Sequence, residues 1–168
     1  MARVVYANSR LRVHRDEVVR PDGQIGSYDW VDVPDQVRVA AFLGTDLVLI
    51  DQHHYLVGRT LQLPGGNVEQ HEDAHTAAQR ELWQETGCHG GSWASHGELV
   101  PLPGLSPSKV HLWSASDLTP GNAEPEPSEA DLRVVRVSLA DAHVAVLDGR
   151  VGCAASAALI LALPRALA

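Results

Sequence analysis

Residues 66–88, GNVEQHEDAHTAAQRELWQETGC, constrain this chain more than any other part of the sequence. Asp73 is a suitable N-cap, no Gly or Pro interrupts the following AHTAAQRELWQE, and Gly87 stands where a helix end favours a left-handed residue. The stretch therefore predicts one helix of about three turns. Because Glu81 and Glu85 are spaced i and i+4, they project from one face of that helix.

The Glu81 and Glu85 pair has two readings. Two carboxylates this close repel each other unless they are solvated or share a cation, and most such pairs are simply a solvated helix face. The preceding residues 63–66, LPGG, favour a functional site, because a glycine backbone can approach a ligand closely just before the helix. Hard oxygen ligands of this kind indicate Mg²⁺ or Mn²⁺, which bridge protein carboxylates to substrate phosphates.

Composition and charge exclude several classes of protein. A chain of 168 residues that is 45% hydrophobic is long enough for one compact domain with a real core. Its net charge of -8 argues against nucleic acid, whose phosphates are held by clusters of Lys and Arg. The N-terminal residues contain no apolar run suited to a signal peptide or a membrane span. We therefore expect a cytoplasmic protein with no membrane partner.

The order of the remaining segments predicts an α/β fold. Strands are expected at residues 3–7, 11–19, 28–33, 37–43, 47–52, 97–101, 110–114 and 132–138. Residues 121–131, GNAEPEPSEAD, are Pro-rich and acidic and predict a loop. The Ala- and Leu-rich end of the chain predicts a core helix closed by Pro164. We divide the chain into N-terminal antiparallel strands at 1–35 and a main domain at 36–168.

Residues 66–88 also carry a family resemblance. Gly66, Glu72 and the segment RELWQETGC at 80–88 resemble the Nudix box, G-x5-E-x7-R-E-U-x-E-E-x-G-U, where U is a bulky apolar residue. Gln84 departs from it, because it replaces the first Glu of the E-E pair. The order of the other segments is similar to that of the ADP-ribose pyrophosphatase branch. The resemblance covers nearly the whole chain and implies a Nudix-type α/β/α sandwich around a mixed sheet, with an N-terminal antiparallel extension.

That resemblance implies an activity and a site. It implies metal-dependent hydrolysis of a nucleoside diphosphate derivative, with ADP-ribose giving AMP and ribose 5-phosphate. The carbonyl of Gly65 would bind Mg²⁺ or Mn²⁺ together with Glu81 and Glu85, and Arg80 would orient the acidic side chains. The branch is typically homodimeric, with the strands at 1–35 exchanged or packed across the two-fold axis. Another nucleotide sugar, a biosynthetic pyrophosphate, or a catalytically weak nucleotide-binding domain remain alternatives, the last because of Gln84.

The resemblance also implies that the acidic loop supplies a general base or a further ligand. Glu129 is the candidate for that role, with Glu126 and Asp131 as rivals. Pro103 lies about where a proline accompanies ADP-ribose hydrolysis in the branch. Ser108 stands where the branch often has an acidic residue, so it bears on recognition of the substrate.

Aromatic side chains are the candidates for holding a nucleobase. A purine needs a flat apolar partner with polar neighbours, and Trp30 and Tyr28 in SYDWVDVP supply both. Packing within the strand is an equally good reading of them. The pair His53 and His54 could suggest a metal, but adjacent strand residues point to opposite faces, so at most one could enter a site. Packing or substrate hydrogen bonding is the better interpretation of that pair.

Overall fold

The N-terminal part of the chain forms a separate three-stranded antiparallel sheet. A computed structural model describes residues 3–164, so the outermost residues of both predicted units, 1–2 and 165–168, lie outside the described part. The strands are β1 (Arg3–Ala7), β2 (Arg12–Val19) and β3 (Ile25–Asp32), in the order β1-β2-β3. The third strand begins earlier than the sequence predicted, because its pairing with β2 extends to Ile25 opposite Val19.

A six-stranded mixed sheet forms the centre of the rest of the chain. Its strands are β4 (Gln36–Leu43), β5 (Asp46–His54), β6 (Gly58–Gln62), β7 (Ser92–Leu99), β8 (Val110–Ser116) and β9 (Arg133–Ser138). Five of them lie in the order β6-β5-β4-β8-β7, and β9 pairs with β5. The pairing of β4 with β8 is parallel and the other pairings are antiparallel.

Three helices cover the two faces of this sheet. They are α1 (Ala74–Thr86), α2 (Leu139–Leu147) and α3 (Ala154–Ala162), and a 3₁₀ turn lies at Pro127–Glu129. Within residues 3–164 no helix is long and apolar enough to cross a membrane.

Strand β4 separates two hydrophobic clusters, because alternate side chains point to opposite faces. Val39 and its alternate neighbours pack against α1 residues such as Leu82. Ala40 and Phe42 belong to the other cluster, with residues of α2 and α3 such as Leu159. The expected α/β/α sandwich with a mixed sheet and an N-terminal antiparallel extension is thereby confirmed.

The two central strands diverge, and this divergence positions the glycine loop. Strands β4 and β5 are paired only beside their turn, at Phe42 with Leu47 and Leu43 with Asp46. Further along β4, the amides of Val37 and Val39 instead donate to carbonyls of the loop at 64–66. The loop therefore lies against β4 as a neighbouring strand would, which holds its backbone in place.

Two expectations about local structure were wrong. Strand β7 lies at Ser92–Leu99 and not at 97–101, and a register shift between Ser95 and Glu98 breaks the alternation of side chains that would have located it. Helix α2 was not expected, because Val144 and Val146 lower its helix propensity. Tertiary packing of its buried residues and the cap of Ser138, which accepts from the amide of Asp141 at 3.0 Å, stabilise it.

Candidate active site

Helix α1 begins and ends where its sequence predicts. Asp73 Oδ1 accepts hydrogen bonds from the amides of His75 and Thr76, both at 2.9 Å. At the other end, Gly87 adopts a left-handed φ of 74° and its amide donates to the carbonyl of Trp83 at 2.7 Å. Both caps satisfy backbone groups that a helix end leaves free. They fix the helical register that carries the two glutamates.

Glu85 is a buried carboxylate with little compensation. Glu85 is only 2% exposed, and its Oε2 accepts a hydrogen bond from the amide of Gly65 at 2.7 Å. Burial raises its pKa from 4.5 to about 8, while the Gly65 amide opposes that rise. The negative charges of Glu81 and Glu129 raise the pKa of Glu85 further, and the positive charge of Arg38 opposes them. The ionised form of Glu85 therefore needs a positive partner.

The glycine loop leaves no room for side chains. Gly65 has a φ of 141°, and a Cβ there would lie 2.1 Å from the carbonyl oxygen of Val37. A Cβ on Gly66 would lie 2.5 Å from Glu81 Oε1. The carbonyls of Pro64 and Gly66 accept from β4, but no described amide donates to the carbonyl between them, that of Gly65. The Gly65 carbonyl therefore has no backbone hydrogen-bond donor in the described part of the chain.

Arg80 is held by partners on every side. Its Nε and Nη2 donate to the two carboxylate oxygens of Glu72, each at 2.9 Å, which lowers the pKa of Glu72. Its Nη1 donates to Glu81 Oε1 at 2.8 Å and to Gln84 Oε1 at 3.0 Å, and Nη2 also reaches the carbonyl of Asn67. Arg80 thus compensates Glu81 but not Glu85, and the side-chain oxygen of Gln84 is directed at Arg80.

The acidic loop is attached to the end of α1. The amide of Glu124 donates to the carbonyl of Gln84 at 2.8 Å, and Gly87 lies so close to Gly121 that a Cβ there would be 2.3 Å from the Gly121 oxygen. These contacts bring the 3₁₀ turn towards the two glutamates. The charge of Glu129 raises the pKa of both Glu81 and Glu85. Glu129 therefore belongs to the same electrostatic site.

The two rivals of Glu129 are placed differently. Asp131 Oδ2 accepts from the amide of His53 at 3.0 Å and from Arg59 Nη2 at 2.9 Å, so it is part of the β5–β6 surface. Glu126 acts electrostatically on Glu81, and its amide donates to Glu129 Oε2 at 3.1 Å. Among the three candidates, Glu129 is the one whose charge acts on both glutamates of α1.

This arrangement agrees with a comparison against known families. The family model described as NUDIX domain matches residues 32–151, which is more than half of the 168 residues. The chain belongs to the Nudix family. As a Nudix hydrolase it is an enzyme that cleaves diphosphate anhydride bonds.

Several relatives of this Nudix hydrolase are similar over most of its length. The ADP-ribose pyrophosphatase of Mycobacterium tuberculosis (strain ATCC 25618 / H37Rv) is 28% identical over 163 residues, which are 95% of this chain and 79% of that protein. The ADP-ribose pyrophosphatase of Bacillus subtilis (strain 168) is 26% identical over 141 residues, 82% of this chain and 76% of that protein. The crystal structure of an ADP compounds hydrolase shares the fold, with a TM-score of 0.83 at 22% identity, and the match covers 96% of this chain and 88% of that chain.

The donor set of this Nudix hydrolase fits a divalent cation that also binds substrate. Within residues 3–164 no three His, Cys, Asp or Glu side chains form a complete metal cluster by themselves. Oxygen ligands are nevertheless available from the carboxylates of Glu81 and Glu85 and from the carbonyl of Gly65. Phosphate oxygens commonly complete the coordination of Mg²⁺ in sites with few protein ligands. A divalent cation would also compensate the buried charge of Glu85, whose pKa is raised first by burial and then by the charges of Glu81 and Glu129.

A cavity of about 410 Å³ lies beside the N-terminal sheet. Three of the substrate-binding candidates, Tyr28, Trp30 and Pro103, line it together with Leu105, Ser106 and Pro107. The fourth, Ser108, is not among these lining residues, because its hydroxyl donates to the carbonyl of Pro34 at 2.9 Å. The structure thus brings together aromatic and proline side chains that are far apart in sequence.

Sequence reasoning missed two contributors to the site. Arg38 is 8% exposed on β4, and its Nη1 donates to the carbonyl of Val37 at 2.8 Å, directly behind the glycine loop. Its position within the apolar run VRVAAFL could have indicated a buried charge. The bond between Arg80 and Gln84 was also missed, although their i and i+4 spacing was visible.

Proposed function

We propose that this Nudix hydrolase cleaves ADP-ribose to AMP and ribose 5-phosphate, with Mg²⁺ or Mn²⁺ as its cofactor. The observation that carries the proposal is the buried Glu85 carboxylate, which contacts the Gly65 amide and lies within the electrostatic reach of Glu81 and Glu129. Such a site attracts a divalent cation and, through it, a diphosphate. Two similar proteins that carry the name ADP-ribose pyrophosphatase support the choice of substrate.

The metal ligands in this proposal are the carbonyl of Gly65 and the carboxylates of Glu81 and Glu85. A bound divalent cation supplies Lewis acidity, which withdraws charge from the diphosphate and makes water a better nucleophile. Arg80 acts on Glu81 by holding its Oε1 at 2.8 Å, so that the carboxylate keeps one orientation. The Gly65 amide does the same for Glu85. Both contacts preorganise the ligands before substrate arrives.

Glu129 is the general base in this proposal. Burial raises the pKa of Glu81 and Glu85, and the nearby charge of Glu129 adds to that rise, which supports a place for Glu129 beside them where it can accept a proton from an attacking water. Asp131, in contrast, is committed to Arg59 and to the backbone of His53. The acidic loop is anchored on both sides of Glu129, by Glu124 on the carbonyl of Gln84 and by Asp131 on β5 and β6, which keeps Glu129 on the side of the loop near α1.

The base of the nucleotide occupies the cavity lined by Tyr28, Trp30 and Pro103. Flat side chains on one wall and prolines on the other offer a slot for a planar ring. Tyr28 is fixed because its hydroxyl donates to the carbonyl of Gly104 at 2.6 Å. Ser108 follows the loop at 103–107, and its hydroxyl holds the end of that loop to the carbonyl of Pro34. In this proposal Ser108 acts on substrate only by positioning the loop.

We also propose that two copies of the chain associate through the N-terminal unit at 1–35. Every residue of β1 is exposed, and Val4, Val5 and Tyr6 are 49%, 45% and 56% exposed. An exposed apolar edge strand is a ready surface for pairing with another chain. Trp30 and Tyr28 lie on β3 of the same unit, so the association would also support the base cavity.

The dimer is tested by sedimentation of the wild type and of Tyr6→Asp. We expect the wild type to sediment at twice the chain mass of 18.1 kDa and the variant to dissociate, because a charge would be buried in the interface. Leu147→Asp, at a 75% exposed position on α2, is the matched control and should remain dimeric. A wild type that sediments as a single chain at micromolar concentration would contradict the proposal.

The activity is tested by hydrolysis of ADP-ribose, other nucleotide sugars and nucleoside triphosphates, each with Mg²⁺, with Mn²⁺ and with excess EDTA. We expect the highest kcat/KM for ADP-ribose and complete loss of turnover in EDTA. Preference for another nucleotide sugar or a biosynthetic pyrophosphate would overturn the substrate but keep the reaction. Full turnover in EDTA would overturn the metal site, and tight nucleotide binding without turnover would favour a binding role.

A further inference from the structure

Trp30 is stacked on a histidine of the neighbouring strand. His14 on β2 is the register partner of Trp30 on β3. The two ring centroids are 4.1 Å apart and the ring planes differ by only 8°. Such a parallel stack fixes the plane of the indole, because tilting it would lose contact over the whole ring.

A second residue of β2 fixes the edge of the same indole. Trp30 Nε1 donates a hydrogen bond to Asp16 Oδ2 at 3.0 Å. Because His14 and Asp16 are two residues apart on one strand, they share a face of the sheet and act on Trp30 together. The ring plane and the in-plane rotation of the indole are therefore both restrained, by the stack and by the hydrogen bond.

The opposite wall of the cavity is tied to the same strand. The amide of Val31 donates to the carbonyl of Leu105 at 2.8 Å, and the Tyr28 hydroxyl donates to the carbonyl of Gly104. Strand β3 thus holds both the aromatic wall and the proline-containing loop that faces it. The width of the cavity depends on how firmly Trp30 is held between this loop and His14.

The His14 imidazole acts through its ring plane and not through a hydrogen bond. Neither ring nitrogen has a hydrogen-bond partner among residues 3–164, although both are buried. The nearest carboxylate, Asp32, is 3.9 Å from Nε2, which is too long for a hydrogen bond. Stacking on Trp30 is the contact that remains for this ring in the described part of the chain.

We infer that His14 is a positioning residue for substrate, which holds Trp30 flat so that the other face of the indole receives the nucleobase. Histidine, indole and base then form a stack of three parallel rings. A preorganised ring costs less ordering on binding than a mobile one, so the effect appears in affinity and not in the chemical step. This inference rests on the proposed base slot at Trp30, and Asp16 contributes by fixing the indole N–H.

The test measures kcat and KM for ADP-ribose, and the Kd of AMP by isothermal titration calorimetry, in matched variants. Trp30→Ala should raise KM and Kd about tenfold or more, since stacking on an aromatic is a large part of base affinity. His14→Ala should raise both about three- to tenfold with kcat within about twofold, and His14→Phe should restore them, because a phenyl ring can stack. His75→Ala removes His–Trp contacts elsewhere in the fold, those with Trp93 and Trp113, and should change neither constant.

Each failure points to a different conclusion. If Trp30→Ala raises KM and Kd but His14→Ala leaves both unchanged, the positioning role of His14 is wrong and the base slot stands. If neither variant changes KM or Kd, the base does not bind at Trp30 and that part of the proposed function is wrong as well. A fall in kcat with unchanged KM in His14→Ala would also overturn the inference. Should His14→Ala fold poorly, Asp16→Ala tests the same restraint, with an expected rise in KM and in the Kd of AMP.

Discussion

Replacing Glu85 by Gln is expected to lower kcat/KM for ADP-ribose by roughly a thousandfold or more, because a metal ligand stabilises the transition state by several kcal/mol. The same substitution should leave the metal-free protein as stable as the wild type or more stable. Glu85 is 2% exposed, and the negative charges of Glu81 and Glu129 repel its carboxylate. Removing the charge of Glu85 therefore lowers the cost of burial and relieves this repulsion in the absence of metal. A functional residue of this kind is retained at a cost in stability.

The pH dependence of stability isolates this effect. The folded pKa of Glu85 is raised from 4.5 to about 8. Between these values the unfolded carboxylate is ionised while the folded one stays protonated, so unfolding releases a proton and stability falls as pH rises. Below pH 4.5 both states are protonated and the loss is absent. Metal-free wild type should therefore lose stability relative to Glu85→Gln across this window, as measured by denaturant unfolding at several pH values.

Added Mg²⁺ should make the wild type more stable than Glu85→Gln. A cation that binds the folded wild type raises its Tm by mass action, whereas Glu85→Gln should gain little. Glu98→Gln is the matched control. Glu98 is an exposed carboxylate on β7 that pairs with Lys109, the residue just before β8. It should keep wild-type activity and Mg²⁺ response. An unchanged rate in Glu85→Gln at limiting Mg²⁺ would mean that this carboxylate is not a ligand.

Glu129→Gln is expected to lower kcat by about a hundredfold to ten-thousandfold, the usual contribution of a general base. KM and the Mg²⁺ concentration for half-maximal rate should change little, because the amide keeps the size of the side chain and the metal ligands are intact. The measurement is kcat at saturating substrate and Mg²⁺, together with KM and the Mg²⁺ dependence of the rate.

Two matched variants separate Glu129 from its neighbours. Asp131→Asn removes the ion pair with Arg59, which is exposed and contributes little to stability, so activity should stay near that of the wild type. Glu126→Gln removes a charge that acts on Glu81 but keeps the backbone amide that donates to Glu129 Oε2. If Asp131→Asn or Glu126→Gln loses as much kcat as Glu129→Gln, the assignment of the base is wrong.

Local signals predicted the box helix well. Asp73 and Gly87 cap α1 as expected, since capping depends on residues within one turn of each end. Apolar runs also located β4 and β5, because both faces of these central strands are buried. The same method failed at β7, where a register shift interrupts the pattern, and at α2, where packing outweighs propensity.

The placement of Glu81 and Glu85 side by side could be predicted from sequence alone, because residues at i and i+4 of a helix share a face. Packing of distant segments set the environment of those two carboxylates. Burial beneath the glycine loop raised the pKa of Glu85, and divergence of β4 from β5 brought Gly65 against it. The effect of the Glu129 charge on the two glutamates of α1, and the meeting of Trp30 with Pro103 in one cavity, both depend on how distant segments pack. No short-range pattern encodes such contacts, because they arise only when distant segments pack together.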